Sequence, residues 1–189
     1  LSENGFLANT PSPVANLPRH VRPEESQFSL EQRARSYFAV NCSYCHQAGG
    51  SVSGFWDGRA SLTLEQTGLI RGNAVNNGGN PLNQYVVPGD PVHSIVLSRM
   101  AASNGFGRMP PLGTTELDAA NIQLISDWIS AELPHRPLYD QWRDSYFSSF
   151  DPENGKSDDP DHDGVSNYEE YLRGTSPISG ANPWQATIS

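Results

Sequence analysis

Both cysteines of this 189-residue chain fall in one pentapeptide, Cys42-Ser43-Tyr44-Cys45-His46. No disulfide framework is therefore open to the fold, and two sulfurs and an imidazole are confined to about one turn of chain. A thiol-redox pair has no need of the adjacent histidine. A zinc site needs a fourth ligand and usually a second Cys/His knuckle, which the sequence lacks. The spacing matches covalent attachment of a c-type haem, in which two thiols reach the vinyl groups on one porphyrin edge and the next imidazole turns under the iron.

The flanking pattern is helical on both sides of a long irregular middle. Ser29-Leu30-Glu31-Gln32 offers a cap with a glutamine three residues on, and Leu30, Ala34, Tyr37 and Phe38 recur at helical spacing, so a helix is expected to run directly into Asn41-Cys42. Residues 47–88 read as mostly loop, rich in Gly and Asn, with a helical turn or two near Thr63 to Ile70. Asp90 as cap and Pro91 at the first helical position predict a second helix carrying Ile95, Val96, Arg99 and Met100. Thr115-Glu116-Leu117-Asp118 opens a third, with Leu117, Ile122, Leu124, Ile125, Trp128 and Ile129 on one broad face, ending before Pro134.

These segments resemble the class I cytochrome c family over about residues 29–133. The resemblance rests on the helix before the attachment site, the irregular middle, a methionine in a Pro-flanked loop and a final amphipathic helix. It implies a mainly α fold in which the first and last helices cross, with His46 as proximal and Met109 as distal ligand of the iron. Met100 is the rival, but its helical setting suits a core thioether, whereas Pro110 and Pro111 hold Met109 in an extended loop. His93 is a further alternative, while His20, His135 and His162 lie in segments read as outside the haem domain. More narrowly, Arg33 to His46, Val87 to Ser94 and Arg108 to Gly113 look like bacterial cytochrome domains at the C-terminus of secreted multidomain proteins. Such domains often follow quinone-dependent sugar dehydrogenase-like domains. Lys156 is the only lysine, so the lysine ring that mitochondrial relatives use for docking is missing. Trp56 and Arg59 lie where partners for the haem propionates could arise.

Beyond Pro137 aromatic residues give way to acids. Asp159, Asp161 and Asp163 take positions 1, 3 and 5 of a calcium loop, Gly164 the turn at 6, Val165 a carbonyl at 7, Asn167 position 9 and Glu170 the closing position 12. Without a cation the crowded carboxylates would repel. The segment from Asp159 to Pro177 resembles the single calcium loops of dockerin and thrombospondin type 3-like segments. That resemblance implies a structural ion.

The expected organisation is a Pro-rich extended arm over 1–28, a class I cytochrome c domain over 29–137 and a calcium-binding tail over 138–189 that is separable from the haem domain. With 17 glycines, 15 prolines and 17% charged residues the chain is loop-rich, and no apolar run is long enough for a membrane helix. Twenty-one acids against 12 bases give net −9 and a pI near 4.9, which disfavours nucleic acid and anionic lipid as partners. The start at Leu1, with neither Met nor an apolar signal core, reads as a mature or excised fragment. The functional expectation is a monohaem, non-enzymatic, outer-sphere electron carrier, periplasmic or extracellular, with haem c and Ca2+ as cofactors. It would accept electrons from a redox protein or a fused dehydrogenase. Two alternatives remain open: a haem enzyme or gas sensor with a free iron position, and a calcium-dependent docking module.

Overall fold

Helix α1, Leu30–Asn41, starts where two side chains satisfy three of its first amides. Ser29 Oγ accepts from Gln32 N at 3.1 Å, and the carboxylate of Glu132, a hundred residues on, accepts from Leu30 N and Glu31 N at 2.9 and 3.0 Å. The amides of a helix's first turn have no partner within the helix, so this carboxylate ties the start of α1 to the far end of the domain. The reciprocal half of the expected capping box is not formed: Gln32 Oε1 is buried without a hydrogen bond, and Ser29 Oγ donates instead to Leu172 O at 2.8 Å.

The computed structural model describes residues 19–52, 55–111 and 116–180. It is mainly helical, and among the described residues strand pairing amounts to three isolated bridges, at Ile70 with Val86, Asn73 with Gln84, and Gln84 with Ser94. After α1 come α2 (Ile95–Ala101), α3 (Ala119–Asp127), α4 (Tyr139–Tyr146) and α5 (Asn167–Arg173). α3 continues as a wider π turn over Trp128–Glu132 and a 3-10 turn over Leu133–His135, which admits Pro134. The loosened winding frees Ile129 O to accept from Gly89 N at 2.8 Å.

α1 and α2 both pack on α3. Ala34 and Phe38 from α1, Leu97 and Met100 from α2, and Ile125, Trp128 and Ile129 from the α3 segment form one buried core, completed from the loops by Trp56, Leu64, Leu69 and Val86. The Phe38 ring meets Trp56 and Trp128 edge-on at centroid distances of 5.8 and 6.1 Å, an arrangement favoured by the ring quadrupoles.

Several expectations need correction. α2 begins at Ile95 rather than Pro91: Asp90 does accept from His93 N at 3.1 Å, as a cap would, but Ile95 N and Val96 N donate to Gln84 O and Tyr85 O, at 2.9 and 3.1 Å, instead of back to Pro91 and Val92. Ser94 precedes the helix, and its hydroxyl donates to Asp90 O at 2.8 Å. Leu117 lies before the cap residue Asp118 and is half-exposed, not on the buried face. The stretch near Thr63 makes one helical turn, as expected, closed by Thr67 N donating to Thr63 O. Residues 1–18 of the expected arm lie outside the described residues. Its remainder runs along α1, with Val21 N donating to Ser36 Oγ at 3.1 Å and Arg33 Nε to Pro23 O at 2.6 Å.

The tail beyond Pro137 has its own small cluster of Tyr139, Trp142 and Tyr171 where α4 meets α5. No gap separates it from the rest. Glu31 and Arg35 of α1, both nearly inaccessible, pair with each other at 3.7 Å, and Arg136 Nε pairs with Glu31. α5 closes over these charges: Tyr168 OH accepts from Arg35 Nη1 at 2.7 Å, and the Arg136 guanidinium lies 3.5 Å from the Tyr171 ring centre. Burial disfavours the charged form of Glu31 and of Arg136 alike. Pairing with Arg35 offsets part of that cost for Glu31, whose carboxyl is still pushed up to about 8 by burial.

Replacing Glu132 by Ala removes the carboxylate from two α1 amides at once. A loss of about 1–2 kcal/mol is expected from the cap, read as a lower urea midpoint with an unchanged slope. An unaltered midpoint would contradict the role given to Glu132.

Candidate functional site

The last turn of α1 delivers the first cysteine. Cys42 N and Ser43 N both donate to Phe38 O, at 2.9 and 3.0 Å, closing the helix. Cys45 N and His46 N then both donate to Cys42 O, at 3.1 and 2.8 Å. This tight turn brings Cys42, Cys45 and His46 to the wall of one cleft. Gly58 is needed beside it, since Gly58 N donates to His46 O at 2.8 Å and a Cβ there would stand 3.1 Å from Ser43 Cα.

The cleft has a volume of about 480 Å³ and, among the described residues, takes its walls from α1, α2 and the irregular chain, with none from α3. α1 contributes Tyr37 and Asn41, α2 contributes Ile95, Val96, Arg99 and Met100, and the irregular middle contributes Val52, Trp56, Leu69, Val75 and Tyr85. The segment Met109-Pro110-Pro111 completes it, held by Met109 N donating to Arg99 O at 2.9 Å. The volume falls within the ~300–1,000 Å³ of small-molecule sites, and apolar side chains dominate the lining.

Three features of the wall bear on what it can hold. His46 stacks on Trp56 at 4.4 Å with an interplanar angle of 24°. Its Nδ1 is buried without a hydrogen bond, and burial pulls the imidazole pKa below its usual value, so the ring is neutral with a lone pair to offer. Burial, with Cys45 as a smaller cause, pushes the Cys42 thiol up to about 12, which leaves it protonated and apolar. Sulfur and neutral imidazole donors suit a soft or borderline transition metal.

Both methionines line the cleft. Met100 is buried in the core at the end of α2, whereas Met109 is half-buried in its loop. His93 does not line it and is bonded to Asp90. Of the two proposed propionate neighbours, Trp56 is in the wall and Arg59 is not, being bonded to Asp57 two residues earlier. Sequence reasoning missed Arg99, the one cation in the wall, whose guanidinium lies 5.1 Å from the Phe106 ring centre. Its signal was a charge four residues after Ile95 on an otherwise apolar helix face.

The acidic loop forms a second constellation. One carboxylate oxygen from each of Asp159, Asp161 and Asp163 lies within 4.8 Å of the others. Gly164, at φ +87°, makes the turn. Backbone amides orient the acids: Gly164 N donates to Asp159 Oδ2 at 3.0 Å, Asp163 N to Asp161 Oδ1 at 3.2 Å, and Val165 N to Asp163 Oδ1 at 2.8 Å. α5 adds Asn167, fully buried, and Glu170, 1% exposed. Asn167 Nδ2 donates to Glu153 O and Gly155 O at 3.0 and 2.7 Å, which fixes its amide.

Four oxygens of this loop, Asp159 Oδ1, Asp161 Oδ2, Asn167 Oδ1 and Glu170 Oε2, are buried and make no hydrogen bond. Buried polar atoms are rarely left so. Hard oxygen donors at this spacing fit a hard divalent cation. Val165, the expected carbonyl donor, is buried at the seventh position.

Burial, with the three aspartates adding to it, pushes the Glu170 carboxyl up to about 7. That lies above the unfolded value of about 4.3. Stability linked to this group in the cation-free chain is therefore present below about 4.3 and lost as pH rises through about 7. A cation must displace the proton, so calcium titrated at pH 8 is expected to bind more tightly than at pH 6, with proton release at the lower pH. Equal affinities at the two pH values would contradict this arrangement.

Comparison with protein-family models, with curated proteins and with solved structures finds no match for this chain.

Proposed function

We propose that the chain is a monohaem c-type cytochrome that carries single electrons between redox partners, its haem joined to Cys42 and Cys45 and its iron held by His46 and Met109. The observation that carries this reading is the convergence of Cys42, Cys45, His46 and Met109 on one apolar cleft of about 480 Å³. Bound there, haem c would supply a one-electron couple, with potential raised by thioether ligation and a low-dielectric setting. Trp56 fixes the imidazole ring by stacking, and the Arg99 O bond to Met109 N holds the loop that presents the sulfur. Tyr37, Leu69, Ile95 and Val96 line the cleft and would cover the faces of a bound haem with apolar surface. No substrate bond is made or broken in this reading, and no residue is assigned a catalytic role. A class I cytochrome fold is part of the proposal and agrees with the mainly helical architecture.

Calcium binding by Asp159, Asp161, Asp163, Val165, Asn167 and Glu170 is the second part. It is supported by the four buried oxygens without hydrogen bonds. Both cofactors agree with a periplasmic or extracellular protein, where haem is attached to reduced thiols in the family that the chain resembles. The electron donor on this reading is a separate redox protein or a fused dehydrogenase domain. No helix among the described residues is long and apolar enough to cross a membrane.

The test compares two variants of the holoprotein. Met109→Ala is expected to open the iron to carbon monoxide and lower the potential, whereas Met100→Ala is expected to cost stability, about 2–5 kcal/mol for a buried methionine, with the closed site intact. Carbon monoxide binding by Met100→Ala alone would move the distal ligand to Met100. Binding by the unaltered protein would favour an open-site haem enzyme or gas sensor.

A further inference from the structure

α5 is only seven residues long, too short to hold its helical form without support. Its side chains face two ways. Asn167 and Glu170 belong to the acidic loop, and the residues that follow each of them, Tyr168 and Tyr171, reach into the buried charges of α1 and Arg136. Ser29, the cap of α1, donates to Leu172 O at 2.8 Å, so α5 touches α1 at its cap and again two turns along, at Arg35. Tyr168 OH and Arg35 Nη2 also converge on Leu62 O. If α5 came away, Arg35 would lose its hydroxyl partner and the Glu31–Arg136 pair its aromatic cover. Buried charges stripped of partners are strongly destabilising.

At its other face α5 depends on the loop. Three aspartate carboxylates gather before its first turn, α5 adds the buried Glu170, and one oxygen each of Asp159, Asp161 and Glu170 is buried without a hydrogen bond. A divalent cation bound by these oxygens would satisfy them together.

We infer that α5 couples the acidic loop to α1, so that calcium in the loop stabilises the helix that ends at Cys42, and the tail and the main core open as one unit. The inference rests on the calcium reading above and is independent of the haem reading. It replaces the expectation of a separable tail with a linked one. Linkage also requires the converse: anything that stabilises α1 tightens calcium binding by the same factor.

Hydrogen exchange of the full holoprotein, in calcium and in chelator, tests this directly. Amides of residues 34–42 are expected to exchange at least about tenfold more slowly in calcium, with a ceiling of about 100-fold at a hundred times the dissociation constant. In Tyr168→Phe, which loses the hydroxyl bond to Arg35 but no loop oxygen, calorimetry is expected to show calcium binding retained while protection of α1 by calcium shrinks. Calcium binding accompanied by slower exchange only in residues 158–173 would overturn the coupling and leave the calcium site standing. Calorimetry with no calcium binding at millimolar concentration would overturn both. Should Tyr168→Phe fail to fold, the comparison in the unaltered protein decides the matter alone.

Discussion

The buried ion pair between Glu31 and Arg136, with Arg35 beside it, is the constraint around which the three parts of the molecule are arranged. A charge held this far from water costs several kcal/mol unless its partners stay in place. α1 supplies Glu31 and Arg35, the turn after α3 supplies Arg136, and α5 supplies the two tyrosines that cover them. None of these elements can leave without stranding a charge. Glu132 adds a second tie by capping α1 from the end of the α3 segment, so the start of the first helix is determined by residues a hundred positions away.

With α1 pinned at its start, the position of its end follows, and the end is where the cleft begins. Twelve residues of helix lead to Cys42, and the turn after it places Cys45 and His46 on the same wall. The rest of the cleft is built mostly from irregular chain, which packs because Trp56, Leu69 and Val86 are drawn into the core formed by Phe38 and Trp128. A flat apolar cofactor needs a cleft of this sort, made by loops that fold around it and anchored by a few helical side chains.

Much of the site was legible in the sequence because it is local. The pentapeptide from Cys42 to His46 and the twelve-residue loop from Asp159 to Glu170 each carry their donors at fixed short spacing; Cys42, Cys45 and His46 line one cleft, and Asp159, Asp161 and Asp163 bring one oxygen each within 4.8 Å of one another. α1 and α3 were legible through their periodicity. The start of α2 was misread, because the amides of Ile95 and Val96 go to Gln84 O and Tyr85 O, partners that no spacing rule connects to them. Arg99 in the cleft wall, the two short tail helices and the buried charges between α1 and α5 were not legible. These depend on pairs such as Arg35 with Tyr168 that stand far apart in the chain, where no spacing rule connects them. The tail's tyrosines Tyr168 and Tyr171 cover charges buried beside α1, a role that its composition does not announce.

The central claim is that one haem is bound covalently through both cysteines. Intact mass measurement of the denatured chain, produced in a periplasm with haem-attachment machinery, tests it most directly. The account predicts a mass raised by one haem, with peptides carrying the adduct at Cys42 and Cys45 and no thiol open to alkylation. An unmodified mass with two alkylatable cysteines would contradict it.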